Sequence, residues 1–175
     1  MATTYTVEQT TVDGFPALRL VSPQEFAATY VPAAGMVCCS LTPRGEELLG
    51  QRKGLKHYAA TGSTMGIPVL HPWANRLSHL GYEIKGKRID FSQDSPLLHF
   101  DGNGLPIHGL VGGCPDWQVV EQAADQDSAR LTARLDLTKK PEFLALFPFP
   151  HFLELGVVVQ ETTLAVSTTV RPAAD

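Results

Sequence analysis

An all-β chain of antiparallel hairpins is what this sequence predicts, on three observations. Apolar and polar residues alternate over short runs, the period-two signature of a half-buried strand. Between turn signals, no stretch of helical length sustains apolar residues at three- and four-residue spacing. The runs are separated by Gly, Asp and Ser, the residues that chain reversal favours. Two sheets that bury their apolar faces against each other, an antiparallel β-sandwich, satisfy this pattern.

The elements follow in order. Strands are expected at residues 5–12 and 15–21, joined by Asp13-Gly14, and at 26–31 and 36–41. A hairpin over 81–85 and 87–91 turns at Lys85-Gly86-Lys87. Later strands are expected at 117–122, 129–137, 152–160 and 163–170, the first two separated by the polar run Ala124 to Ser128. Residues 51–80 and 92–115 resist the pattern, being rich in Gly and Pro around short apolar segments. Long irregular connections in a compact domain are where function concentrates, so the site is sought there.

Bulk properties narrow the classes of function. With 175 residues, 43% of them hydrophobic, the chain can build one sizeable core, and it reads as a single β-sandwich domain over 1–175. A formal net charge of −4 with scattered Lys and Arg gives no attraction to nucleic acid or anionic membrane. The N-terminus has neither a basic start nor an apolar run, and a cytoplasmic protein is the expectation. Cys38, Cys39 and Cys114 are odd in number and poorly spaced for a disulfide framework, so reduced thiols are expected.

In the first connection, Pro68 and Pro72 flank His71, and Trp73 lies three residues before Arg76. A flat apolar ring with an amide and a guanidinium suits a sugar, whose C–H face stacks while its vicinal hydroxyls take forked donors. Trp73, Asn75 and Arg76 are therefore candidate binding residues. The alternative is that Arg76 pairs with a carboxylate at the loop base while Trp73 is core. In the second connection, His108 lies between Ile107 and Gly109, where a ring could donate to a hydroxyl or pass a proton. The alternative is a hydrogen-bonded structural histidine. His71 and His79 are eight residues apart and His99 and His108 nine, neither a compact zinc spacing, so no metal is expected.

The segment Gly66-Ile67-Pro68-Val69-Leu70-His71-Pro72-Trp73-Ala74-Asn75-Arg76-Leu77 resembles the Asn-Arg segment of aldose 1-epimerases (galactose mutarotase-like proteins). Leu105-Pro106-Ile107-His108-Gly109 is similar to that family's Leu-His-Gly segment. Trp117 opens a strand as in relatives, and Phe147-Pro148-Phe149-Pro150 with the hairpin after it resembles the family's aromatic-Pro turn. The resemblance runs from Met36 onward. It implies a large sandwich that binds a hexose or related aldose and needs no cofactor. It also implies interconversion of α and β anomers by an acid at the ring oxygen and a base at the anomeric hydroxyl. Asn75 and Arg76 would contact sugar hydroxyls, and His108 would be the catalytic-site histidine near the ring oxygen.

The family's main acid histidine follows the hairpin that ends here near Val170, and its glutamate lies further on. Neither has a counterpart in these residues, and His151 does not take the acid role. The resemblance thus implies a chain lacking C-terminal strands, with sheet edges open to homodimerisation. A non-catalytic sugar-binding or sensing module, or a vestigial fragment, is the alternative function.

Overall fold

The computed structural model describes residues 4–173. β1 (Thr6–Val12) and β2 (Phe15–Val21) form a hairpin around Asp13 and Gly14 at φ +52° and +90°, the left-handed pair that a two-residue type I′ turn requires. β3 (Phe26–Val31) and β4 (Val37–Pro43) complete a sheet in the order β1-β2-β3-β4. Every residue of β3 is buried, because both faces of this sheet are covered. Leu18, Leu20, Ala28 and Tyr30 enter the main core, while Ala17, Val31, Val37 and Cys39 face a second cluster closed by Leu55 and Tyr58.

Leu55 and Tyr58 come from α1 (Leu55–Thr61), an element the sequence pattern does not announce. Seven residues are too few for a helical period to stand out, and a helix this short is held by what it buries. β5 (Gly81–Ile84) and β6 (Lys87–Asp90) make the expected small hairpin. β7 (His99–Phe100) pairs with β8 (Pro106–Ile107) inside the second irregular connection. These strands of two residues each carry no periodicity to read.

The second sheet has the order β12-β11-β10-β9, from β9 (Gln118–Ala124), β10 (Ala129–Asp136), β11 (His151–Gln160) and β12 (Thr163–Pro172). A six-residue helix, α2 (Pro141–Leu146), bridges β10 and β11 and buries Phe143 and Leu146. β10 and β11 alternate strictly: Leu131, Leu135, Leu153 and Val159 are wholly buried, and Arg134 pairs with Glu154 on the outer face at 2.8 Å. The apolar faces of both sheets share one core cluster, so the architecture is the antiparallel β-sandwich the sequence predicts. The Glu161 amide, at the β11–β12 turn, donates to Tyr5 Oη at 2.9 Å and ties that turn to the start of β1.

Cys38 and Cys39 are buried free thiols, and Cys114 is half-buried and free. Burial pushes the Cys38 thiol up to about 12 and that of Cys39 to about 11, so neither is a thiolate at neutral pH. Among the described residues, no helix is long and apolar enough to cross a membrane.

Candidate functional site

The two irregular connections meet. Ile67 bridges Cys38 at the edge of β4, with backbone hydrogen bonds of 3.0 and 3.1 Å. From there the segment runs along residues 106–110. The Leu77 amide donates to Pro106 O at 2.8 Å, the His108 amide to Asn75 O at 3.2 Å, and the Leu110 amide to His71 O at 2.7 Å. Gly109 permits the contact: it sits at φ +76°, and a Cβ there would lie 2.1 Å from the His71 carbonyl oxygen.

This ladder brings Asn75, Arg76 and His108 together. Arg76 bridges Ile107, and its Nε lies 3.2 Å from Asp101 Oδ2. The Asp101 side chain is 7% exposed and that of Arg76 52%, so a buried carboxylate anchors a guanidinium that still faces solvent. Asp101 Oδ1 accepts the amides of Asn103 and Leu105 at 2.8 and 3.0 Å. The Leu105 amide first, then Asn103 and Arg76, hold this carboxyl below the ordinary range despite the cost of its desolvation. Asp101 Oδ2 has no aligned hydrogen-bond donor among the described residues, so the Arg76 contact is an ion pair more than a hydrogen bond.

His108 sits at φ +68°, outside any hairpin turn, which for a non-glycine residue is a strained conformation of the kind found at ligand sites. Its Nδ1 is 2.9 Å from Ala74 O. A carbonyl can only accept, so Nδ1 carries the proton and Nε2 keeps the lone pair in the neutral ring. Trp73 stacks on Phe91 at 5.7 Å and 22° and packs against the core, and its Nε1 is buried without a hydrogen-bond partner. The loop-base ion pair and the core tryptophan weighed in the sequence are thus both present. Arg76 remains half-exposed beside His108.

An arrangement that no sequence spacing reveals lies at the other end of the segment. His71 Nε2 and His151 Nε2 are 2.8 Å apart. His151 is 3% exposed, and its Nδ1 donates to Phe149 O at 2.5 Å. His151 Nε2 is therefore the acceptor and His71 Nε2–H the donor. Phe143 lies parallel to the His71 ring at 6.4 Å, and Phe147 stands edge-on to it. Burial, and then the neighbouring His151, push His71 down to about 4. His99, on β7, is also pushed down by burial and by nearby His108.

Among the described residues, no group of three or more His, Cys, Asp or Glu side chains could hold a metal ion. A cavity of about 420 Å³ beside His99 is walled by Leu98, Val111, Cys114, Lys140 and Phe143. A larger groove, about 680 Å³ between β1, β2 and β9, has Glu121 as its single ionisable lining residue and carries no chemistry.

Fold and site together define a β-sandwich of the galactose mutarotase-like type that presents an Asn-Arg pair beside a histidine. The family model described as aldose 1-epimerase matches residues 25–174. The chain belongs to that family. Among solved structures it is similar to a galactose mutarotase-like protein from Clostridium acetobutylicum, with TM-score 0.79 and 20% identity over 97% of this chain and 49% of that one. A Synechocystis protein aligns with TM-score 0.66 and 21% identity, covering 98% of this chain and 51% of that one. A galactose 1-epimerase from Lactobacillus acidophilus gives TM-score 0.63 and 14% identity over 90% and 45%. The chain spans about half the length of each of these structures. No curated protein sequence matches it.

Proposed function

We propose that this chain binds an aldose on the surface formed by Asn75, Arg76 and His108, and that His108 is the single proton-transfer group there. The observation that supports this best is the anchoring of half-exposed Arg76 by buried Asp101, one backbone bridge away from His108. Fixed in this way, the guanidinium fork offers preset donors to vicinal hydroxyls. Asn75 adds an amide, and the exposed part of Trp73 adds an apolar edge. No cofactor enters this reading.

Anomer exchange needs a proton delivered to the ring oxygen while another leaves the anomeric hydroxyl, and each positioned group contributes about 10²–10⁴-fold. His108 Nε2, the nitrogen with the lone pair, serves one of these transfers. His71 and His151 are bonded to each other within phenylalanine rings, so they are not counted as the second. The proposal is therefore a sugar-binding chain with slow mutarotation at most. One structure of the same fold is a galactose 1-epimerase, which makes galactose the first probe and glucose the second.

The test is NMR titration of isotope-labelled chain with each sugar, alongside polarimetry. Saturable shifts at the amides of Asn75, Arg76 and His108, with a rate near that of buffer, are expected. Turnover at the level of a complete enzyme would overturn the single-group reading, and unmoved spectra the binding. Saturable shifts confined to residues outside this surface would relocate the site.

A further inference from the structure

Arg76 stands directly opposite Ile107, and Ile107 stands directly opposite His99 on the other side of β8. Residues opposed across antiparallel strands share a face, so Arg76, Ile107 and His99 form one row. Two strand spacings put the ends of that row roughly 10 Å apart. Asp101, two residues beyond His99, meets the Arg76 guanidinium from the same face, and His108 lies close enough to His99 to disfavour a proton there.

The far end of the row is the wall of the cavity of about 420 Å³, a volume within the range of small-molecule sites. Gly62 ends α1 at φ +65°, and a Cβ there would collide with His99 Nε2. The ring is therefore seated on bare main chain, and its position is fixed by the fold. Around it stand the buried side chains of Leu98, Val111, Leu137 and Phe143. Lys140 is the single Lys or Arg among the lining residues, and its ammonium is held by Asp116, while Glu142 on α2 adds an exposed carboxylate. A phosphate would meet no spare cation from this wall, whereas an uncharged apolar group meets surface of its own kind.

We propose, on the reading that Arg76 holds a sugar, that this cavity is a second subsite for an uncharged aromatic substituent carried by that sugar. The pyranose hydroxyls take the guanidinium fork at one end of the row. The substituent passes Ile107 and His99 and packs among Leu98, Val111 and Phe143 at the other. The preferred ligand is then an aromatic glycoside rather than the bare aldose.

The experiment is NMR titration of the isotope-labelled chain with methyl β-D-galactopyranoside and with phenyl β-D-galactopyranoside. The phenyl glycoside is expected to bind about ten- to a hundredfold more tightly, and it alone should shift the amides of Leu98, Val111 and Cys114. Ala60→Trp, at an exposed α1 position that lines the cavity, should bring the phenyl glycoside down to the methyl level. It should leave the methyl affinity and the far-UV circular dichroism unchanged. Methyl binding with no phenyl gain overturns the subsite and leaves the sugar surface standing. A gain that survives Ala60→Trp, or that moves amides elsewhere, overturns the subsite as well. Failure of both galactosides to bind overturns the sugar surface and the subsite together.

Discussion

His71 and His151, 80 residues apart in the chain, share one hydrogen bond of 2.8 Å between their Nε2 atoms. This contact joins the segment that carries Asn75 and Arg76 to the first residue of β11. It exists only while the pair holds a single proton between the facing nitrogens, since two N–H groups at that distance repel.

Acid should therefore loosen the molecule at this point. His71 falls from the ordinary 6.5 to about 4 on folding. Between those values the unfolded chain binds the proton more readily, so stability is complete above about pH 6.5 and is lost as pH falls toward 4. His99, pushed down by burial, acts in the same direction. Urea denaturation at about pH 7 and about pH 4.5 should show the wild type losing ~1–3 kcal/mol more than His71→Phe. Equal losses would remove His71 from the account.

Gly109→Ala places a methyl group 2.1 Å from the His71 carbonyl oxygen at φ +76°. A destabilisation of about 2 kcal/mol or more is expected in urea, together with chemical-shift changes at His108. A variant as stable as the wild type would show that the two segments are not in contact in solution.

Arg76→Ala should abolish saturable sugar shifts and also lower the denaturation midpoint, because it leaves the buried Asp101 Oδ2 without its counter-charge. Arg76→Lys should bind far more weakly than wild type, for want of the fork. Asp101→Asn keeps the Asx-type bonds to Asn103 and Leu105 but releases Arg76; a loss of sugar affinity without a large loss of stability is the expected result, read by the same titration.

Core and rim should separate cleanly. Leu131 is wholly buried and Val120 51% exposed. Leu131→Ala should cost about 2–5 kcal/mol, and Val120→Ala within about 0.5 kcal/mol of nothing. Similar costs would mean that the two sheets do not share the core described.

Much of this was legible in the residues. Ala129 to Asp136 reads apolar-polar throughout because one face of β10 is buried and the other is wet, and the observed strand starts where the alternation starts. The Asp13-Gly14 turn fixed both ends of the first hairpin. α1 and α2 were hidden because seven and six residues span at most two turns, and each buries just two side chains. For the site, the meeting of residues 71–77 with 106–110 follows from where the irregular segments fall. Asp101 and His151 do not: one is a carboxylate among polar loop residues, and the other matters through a partner 80 residues away. No local pattern encodes either contact.

The ladder between residues 71–77 and 106–110 is made of main-chain hydrogen bonds and a glycine. A frame built in that way does not depend on which side chains it displays at positions 75, 76 and 108. On the proposed reading of positions 75, 76 and 108 as sugar contacts, substitution there would change ligand preference while the main-chain ladder itself is kept.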